Sequence, residues 1–392
     1  MTKNISHIDN ICSKISAKIE LGLIDPLNAE KEKEKYFSEL TETNNTTPST
    51  TKANNPSFTY AINSETQKKY EEYTKKLHEV DFSKTDIDEL FKQKKEESLH
   101  KIQLISAINT PEFSQISEKV YPPPTDALIR IAETILKTFR PSKKPTHIQK
   151  NEALTMLNEA FTTLGMDWSI ENVKLISNAR VHAVSERLLL KKHELFSRDY
   201  VKRLIVHEIG THALRAENGK KQPLKLFRYG FPSYLETEEG LAAYNELRAG
   251  LMTNSILRNY AGRVLAISYA REGDFNYTYT KLRTYFTKHF AWKLALRAKR
   301  GVPQNQKGAY TKDAVYLRGL ISVLQFSLEN DITPLYVGKI GLQHIALLDK
   351  IPNIEPKIFT IDALLTKQEL SASERAIDSV NAQRILLSGN QI

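Results

Sequence analysis

The hydrophobic positions of this chain change period along its length, and the changes divide it. Residues 1–40 carry helical patterning and include the charged run EKEKEKYF. Residues 41–56 are rich in Thr, Asn and Ser and contain two prolines; such a composition buries no core and predicts a flexible segment. Lys and Glu interleave at helical spacing over 65–104, which predicts solvent-facing helices. Tyr121-Pro122-Pro123-Pro124 then punctuates the chain. Beyond it Leu128, Ile131, Ala132, Ile135 and Leu136 follow the i, i+3, i+4, i+7, i+8 rule of one helix face. A second helix is predicted over roughly 149–164. Val181, Ala183 and Val184, then Leu188 to Leu190, predict two short strands between Val173 and Phe196. From Ser197 the pattern is helical, with breaks near Asn218-Gly219, Phe231-Pro232, Gly273, Gly301-Val302-Pro303 and Thr333-Pro334. An N-terminal helical region (1–120) and a larger domain (121–392) follow from these shifts.

One predicted helix carries chemistry. Ser197 is its N-cap, Asp199 suits the first turn, and Val201, Leu204 and Ile205 form its apolar stripe. Extending that stripe reaches Glu208 and His212, so ionisable groups stand where a core face is due. Buried charge is costly unless paired or bound to a metal. The motif His207-Glu208-Ile209-Gly210-Thr211-His212 spaces its histidines by five, not the usual four. On a regular α-helix that spacing splays the rings by roughly 140°. A π-type turn reduces the splay to about 50°. A widened turn is therefore predicted at Ile209–Thr211, with Gly210 as the residue that permits it. Pairing Glu208 with His212 in a carboxylate-bridged di-iron site would need a second Glu/His helix. The comparable helix near Glu238 has glutamates and no histidine, so that reading loses.

Downstream, Leu235-Glu236-Thr237-Glu238-Glu239-Gly240-Leu241-Ala242-Ala243-Tyr244 predicts a second helix capped by Thr237. A carboxylate from its first turn, facing the histidines, would complete a two-His, one-Glu zinc site with one position open for water.

HEIGTHALRAENGKKQP followed by TEEGLA resembles the family of microtubule-associated tyrosine carboxypeptidases and their bacterial "QEGLA motif" relatives. The block from Tyr310 to Gly319 (YTKDAVYLRG) is similar to that family too, and Pro56-Ser57-Phe58-Thr59-Tyr60 more weakly. The likeness runs from about residue 15 to 370. It implies an α+β, mostly helical fold with a zincin-like metallopeptidase core and a small β-sheet packed on the HExxxH helix. By position it implies one Zn2+ per chain on His207, His212 and Glu239, with Glu208 as catalytic base. Relatives carry Gln where this chain has Glu238, so that position is read as replaceable.

The implied reaction is hydrolysis: Glu208 takes a proton from water and delivers it to the leaving amine, and a further donor meets the developing oxyanion. A carboxypeptidase also needs a cation for the substrate's terminal carboxylate. Lys312 and Tyr316, four apart on one predicted helical face, could supply cation and phenol; Arg318 is the other choice. Arg215, one turn after His212, is a third candidate at the substrate site, in a supporting place. Asn218 and Gln222 are expected to fix the following loop, and His182, His193, His289 and His344 to be structural. The resemblance implies as partner a protein or peptide C-terminus, in the manner of an acidic tubulin tail that loses an aromatic residue.

Charge changes this picture little. A formal +10 and a pI near 9.3 favour acidic partners in general. No zinc-finger or RNA-binding pattern supports nucleic acid, and no basic amphipathic helix supports a membrane surface. The alternatives are a basic binding protein and a zincin-like scaffold that regulates without cleaving. No run of 18 apolar residues predicts a membrane helix and no secretory signal is read. The lone Cys12 excludes a Cys-based zinc cluster and fits a reducing, cytoplasmic setting.

Overall fold

The computed structural model describes residues 3–44, 53–82, 86–142, 146–173, 175, 178–192, 195–355, 358–365 and 379–388. Most lie in helices. The helix Asp126–Thr138 buries the five positions its spacing predicts, and Thr125 caps it by accepting from Leu128 N at 3.2 Å. That face packs on the long helix Asn254–Glu272 through Leu257, Tyr260, Val264 and Leu265. Each fully buried Leu or Ile contributes about 1.5–3 kcal/mol. The second expected helix spans Lys150–Thr163.

Three strands form where two were expected. β1 (Ser169–Val173) pairs in parallel with β3 (Arg187–Lys191), and β2 (Ala179–His182) pairs antiparallel with β3 from the other side. β3 is central, and its Leu188, Leu189 and Leu190 are all buried, as a strand covered on both faces requires. β1 escaped notice because Ser169, Glu171 and Asn172 give it no apolar alternation. Leu188 and Leu190 share a core with Val206 and Ile209, so the sheet lies against the helix that bears the histidines.

The N-terminal residues join the rest rather than standing apart. Ile8, Cys12, Leu90, Phe91 and Phe113 form one apolar cluster with Phe227, Phe231, Val302 and Tyr310. The division at 120 is thus one of sequence and not of core. Nor do all charges of 65–104 face solvent. Lys94 is buried and donates to Glu97 at 2.9 Å, and Lys101 reaches the same carboxylate at 3.0 Å. Part of the expected flexible segment, 45–52, lies outside the described residues. Its end is packed: Ala53 is buried beside Tyr36 and Trp292, and its carbonyl accepts from Asn276 Nδ2 at 2.5 Å. Among the described residues no helix is long and apolar enough to cross a membrane.

Candidate metal centre

The motif helix runs from Arg198 to Lys220. Ser197 caps it, accepting from Tyr200 N at 3.2 Å. Regular α-helix then gives way to a π-helical stretch, Ile205–Ala213, before α-helix resumes at Leu214–Lys220. The widening is broader than the three residues expected. Thr211 Oγ1 donates to Val206 O, five residues back, at 2.9 Å, and accepts from Asn245 Nδ2 at 2.9 Å. Gly210 has a different role from the one its flexibility suggested. A Cβ there would lie 2.9 Å from two carbons of Ile361 and 3.2 Å from Leu364, so the glycine permits close packing. The widened turn brings the two rings to 4.9 Å between centroids, nearly perpendicular at 84°.

The facing helix, Leu235–Arg248, begins two residues before Thr237. Thr237 is therefore interior, its Oγ1 accepting from Leu342 N at 3.0 Å, and Glu239 sits in the second turn instead of the first. One Glu239 oxygen, Oε2, lies 3.6 Å from His207 Nε2 and 3.5 Å from His212 Nε2. Among the described residues, His207, His212 and Glu239 form a group whose ligand atoms all lie within 4.8 Å of one another.

The far side of each ring is also held by a carboxylate. His207 Nδ1 meets Glu246 Oε1 at 2.7 Å, and His212 Nδ1 meets Glu238 Oε1 at 3.0 Å. Arg203 and Tyr260 hold Glu246 in turn, at 3.0 and 3.3 Å. Glu238 is held by Lys339 at 2.7 Å and by Arg215. A partner on Nδ1 fixes the tautomer and aims Nε2 forward, the outer-shell arrangement of metal-binding histidines. Glu239 Oε2 is buried and has no hydrogen-bond partner, since 3.5–3.6 Å is too long for one. A cation between the three atoms would satisfy it, so the donor set fits a divalent metal.

The electrostatics follow from that geometry. Burial disfavours the Glu239 carboxylate, but the two imidazoles outweigh it and hold its pKa well below the usual range. Glu238 is likewise held low against burial, by Lys339 and Arg215. Burial alone would depress His212, yet its contacts with Glu238 and Glu239 push it up to about 10. Burial keeps the Tyr316 phenol protonated, with Glu239 adding to the effect. Its hydroxyl donates to Glu239 Oε1 at 3.0 Å. Two glycines permit that reach. A Cβ on Gly240 would stand 2.3 Å from the backbone of Gly319, and one on Gly319 would stand 2.1 Å from Glu236 O. The helix Val315–Ser327 therefore lies directly against Leu235–Arg248.

Glu208 is half-buried and lines a cavity of about 150 Å3 together with His207, Tyr260, Arg263 and Tyr316. Lys312 lies in a 3-10 turn, Thr311–Ala314, and not on one continuous helix with Tyr316. Burial lowers its pKa while the Glu239 carboxylate raises it. Arg318 is not brought to the cluster: its Nε donates to Glu236 at 2.5 Å and its Nη1 to Pro122 O at 3.0 Å. Arg215, fully buried, reaches the cluster only through Glu238; its other donors go to Leu335 O and Ile340 O at 2.7 and 2.6 Å. These partners leave Arg215 and Arg318 as structural cations. Asn218 does not hold the loop directly after its helix as expected but ties the helix end to distant segments, donating to Tyr336 O and Phe359 O at 2.8 and 2.7 Å. Gln222 accepts from Glu355 N at 3.0 Å. His344 is buried, accepts from Gly341 N at 2.9 Å, and is pushed down to about 4 by burial. His193 lies outside the described residues.

Sequence reasoning missed Glu246, Arg203 and the part played by Glu238. A signal existed for the first. Glu246 is seven residues, two helical turns, after Glu239 and so shares its face. Glu238, to which the sequence reading gave no role, is the carboxylate that holds His212.

Two buried imidazoles and an opposed carboxylate form a three-donor cluster, with Glu208 on the wall of the adjoining cavity. Comparison with known proteins agrees with the motif likeness. Residues 48–377 match the profile of the microtubule-associated tyrosine carboxypeptidase family, and the chain belongs to that family. Microtubule-associated tyrosine carboxypeptidase 1 of Mus musculus is 29% identical over 182 residues, covering 44% of this chain and 38% of the mouse protein. The Homo sapiens protein of the same name is 29% identical over 179 residues, with the same two shares. The matched segment thus spans well under half of those relatives.

Proposed function

We propose that this chain is a zinc-dependent carboxypeptidase with a zincin-like core, removing a C-terminal aromatic, tyrosine-like residue from a protein or peptide. The observation that carries the proposal is the convergence of His207 Nε2, His212 Nε2 and the unpartnered Glu239 Oε2 on one point beside Glu208. Family membership and the names of the mouse and human relatives supply the reaction class.

In this reading His207, His212 and Glu239 hold one zinc ion. Zinc bound there supplies a Lewis acid that polarises the scissile carbonyl and acidifies water. Glu208, at the cavity wall, accepts the proton of the attacking water and returns it to the leaving amine. Tyr316 gives its one O–H to Glu239 and keeps it oriented; released from that contact, the same O–H is the donor that meets the developing oxyanion. Lys312 adds positive charge close to Glu239. An acidic chain end of the tubulin-tail type is the substrate class favoured by the +10 charge. The lone, buried Cys12 suits a reducing compartment such as the cytoplasm. The test is mass spectrometry of a peptide library with varied C-termini, wild type against Glu208→Gln. Single-residue trimming by wild type alone supports the proposal; no trimming by zinc-loaded protein defeats it.

The pKa of His212 fixes a sign for metal uptake. With no metal, its pKa lies near 10, above the ordinary 6.5, so the ring is protonated at neutral pH and zinc must displace the proton. Apparent zinc affinity therefore falls about tenfold or more per pH unit on going from pH 8 to 6. In metal-free protein the same raised pKa stabilises the fold fully below pH 6.5 and is lost as pH rises towards about 10. Competition titration with a zinc chelator at several pH values checks this; affinity independent of pH would contradict it.

A further inference from the structure

The cavity beside Glu208 is strongly one-sided in charge. Arg203, Arg263, Lys293 and Arg297 line it, and among the described residues Glu208 is the single carboxylate on its wall. Two of these cations are neutralised from behind. Arg203 pairs with Glu246 at 3.0 Å, and Arg297 grips Asp313 through two nitrogens, Nη2 lying 2.8 Å from Oδ1. Arg263 differs. Among the described residues its hydrogen bond is a long contact from Nε to Asn259 Oδ1 at 3.4 Å, and although the Asp313 carboxylate that Arg297 grips also feels its charge, no ion pair joins the two. Its Nη1 is buried with no hydrogen-bond partner. A guanidinium donor left unmatched away from water is costly, and such a group is a vacancy for an acceptor that arrives with a ligand.

Its position states which acceptor. The Arg263 guanidinium lies over the ring of Tyr316, 4.0 Å from the centroid, and Tyr260 stacks on that same ring at 5.5 Å and 16°. The other end of Tyr316 is its hydroxyl, on Glu239. Arg263 is thus one aromatic ring away from the three-donor centre, in the cavity that Glu208 and His207 also line. In a peptide the terminal carboxylate lies one residue past the last scissile carbonyl, a Cα to Cα step of about 3.8 Å. A planar guanidinium is the side chain best matched to a carboxylate.

We propose that Arg263 receives the terminal carboxylate of the substrate and so confines cleavage to the last residue of a chain. This rests on the peptidase reading above and replaces Lys312 and Arg318 as the expected carboxylate cation. Contacts with the Tyr316 and Tyr260 rings, at 4.0 and 5.5 Å from their centroids, hold the guanidinium in place, so that little freedom is lost when the ligand binds.

The experiment has two arms, both on the whole 392-residue chain loaded with zinc, with a peptide ending Glu-Glu-Tyr as free acid and as carboxamide. In the first, kcat/KM is measured for wild type, Arg263→Ala and Arg263→Lys. Wild type prefers the acid; Arg263→Ala loses on the order of 10–100-fold on the acid, chiefly through KM, and little on the amide; Arg263→Lys recovers part of the preference. In the second, calorimetry measures binding of both peptides to Glu208→Gln and to Glu208→Gln with Arg263→Ala. The acid binds more weakly by a similar factor when Arg263 is absent, and the amide binds equally to both. Zinc content and melting temperature are recorded for every variant. Equal losses on acid and amide, or an acid preference that survives Arg263→Ala, overturn the assignment and leave Arg263 as a support for Tyr316. If wild type cleaves neither peptide, the peptidase reading is lost and calorimetry alone decides Arg263; binding of neither peptide also overturns it.

Discussion

Glu208→Gln protein is expected to release the terminal residue roughly 10²–10⁴ times more slowly than wild type, with the loss in kcat. The substitution keeps the side chain's size and removes its ability to take a proton. Glu208 is half-buried at the cavity wall and is not one of the three converging donors. Zinc content, substrate KM and melting temperature should therefore stay near wild type. Steady-state kinetics with metal analysis on the same preparation separates this outcome from a trivial loss of the ion. A variant with full activity would remove Glu208 from the chemistry.

Gly319→Ala is expected to push apart the two helices that carry Tyr316 and Glu239. Its Cβ would stand 2.1 Å from Glu236 O, and the backbone cannot yield as a flexible side-chain end can. Gly240→Ala meets Gly319 carbonyl atoms at 2.3 Å, so the two glycines form one contact between the same two helices. Forcing those helices apart costs on the order of 1–3 kcal/mol, and more where the backbone is clamped on both sides. The consequence reaches the centre, because Tyr316 on one helix donates to Glu239 on the other. Denaturant unfolding should show a lower midpoint for each variant, and zinc titration a weaker affinity. Midpoint and affinity both unchanged would mean the helices do not meet as described.

Much of this was legible beforehand, for identifiable reasons. The helix at Asp126–Thr138 follows from a strict apolar period, and the cap at Ser197 from a short polar side chain before a stripe. The π-turn follows from arithmetic: rings five residues apart converge only if the turn widens. What the sequence concealed are features that depend on the third dimension. β1 has little apolar alternation because its pairing partner, not its own pattern, makes it a strand. Gly210 invites an argument about backbone freedom, while its cause is the side chain of Ile361, some 150 residues away. Arg318 and Arg263 are both basic residues in helices, and only packing shows that Arg318 is committed to Glu236 while an Arg263 nitrogen stays unmatched. Glu238 illustrates the limit of reading by likeness. The likeness assigned this position no role, while here its carboxylate pairs with Arg215 and Lys339 and meets His212.

The most direct test is metal analysis of protein purified without added chelator, by inductively coupled plasma mass spectrometry, alongside His212→Ala and Glu239→Ala. Zinc close to one equivalent per chain in wild type, and far less in either variant, is the expected outcome. Wild-type protein that stays empty after dialysis against micromolar zinc, or variants that bind it equally well, would contradict it.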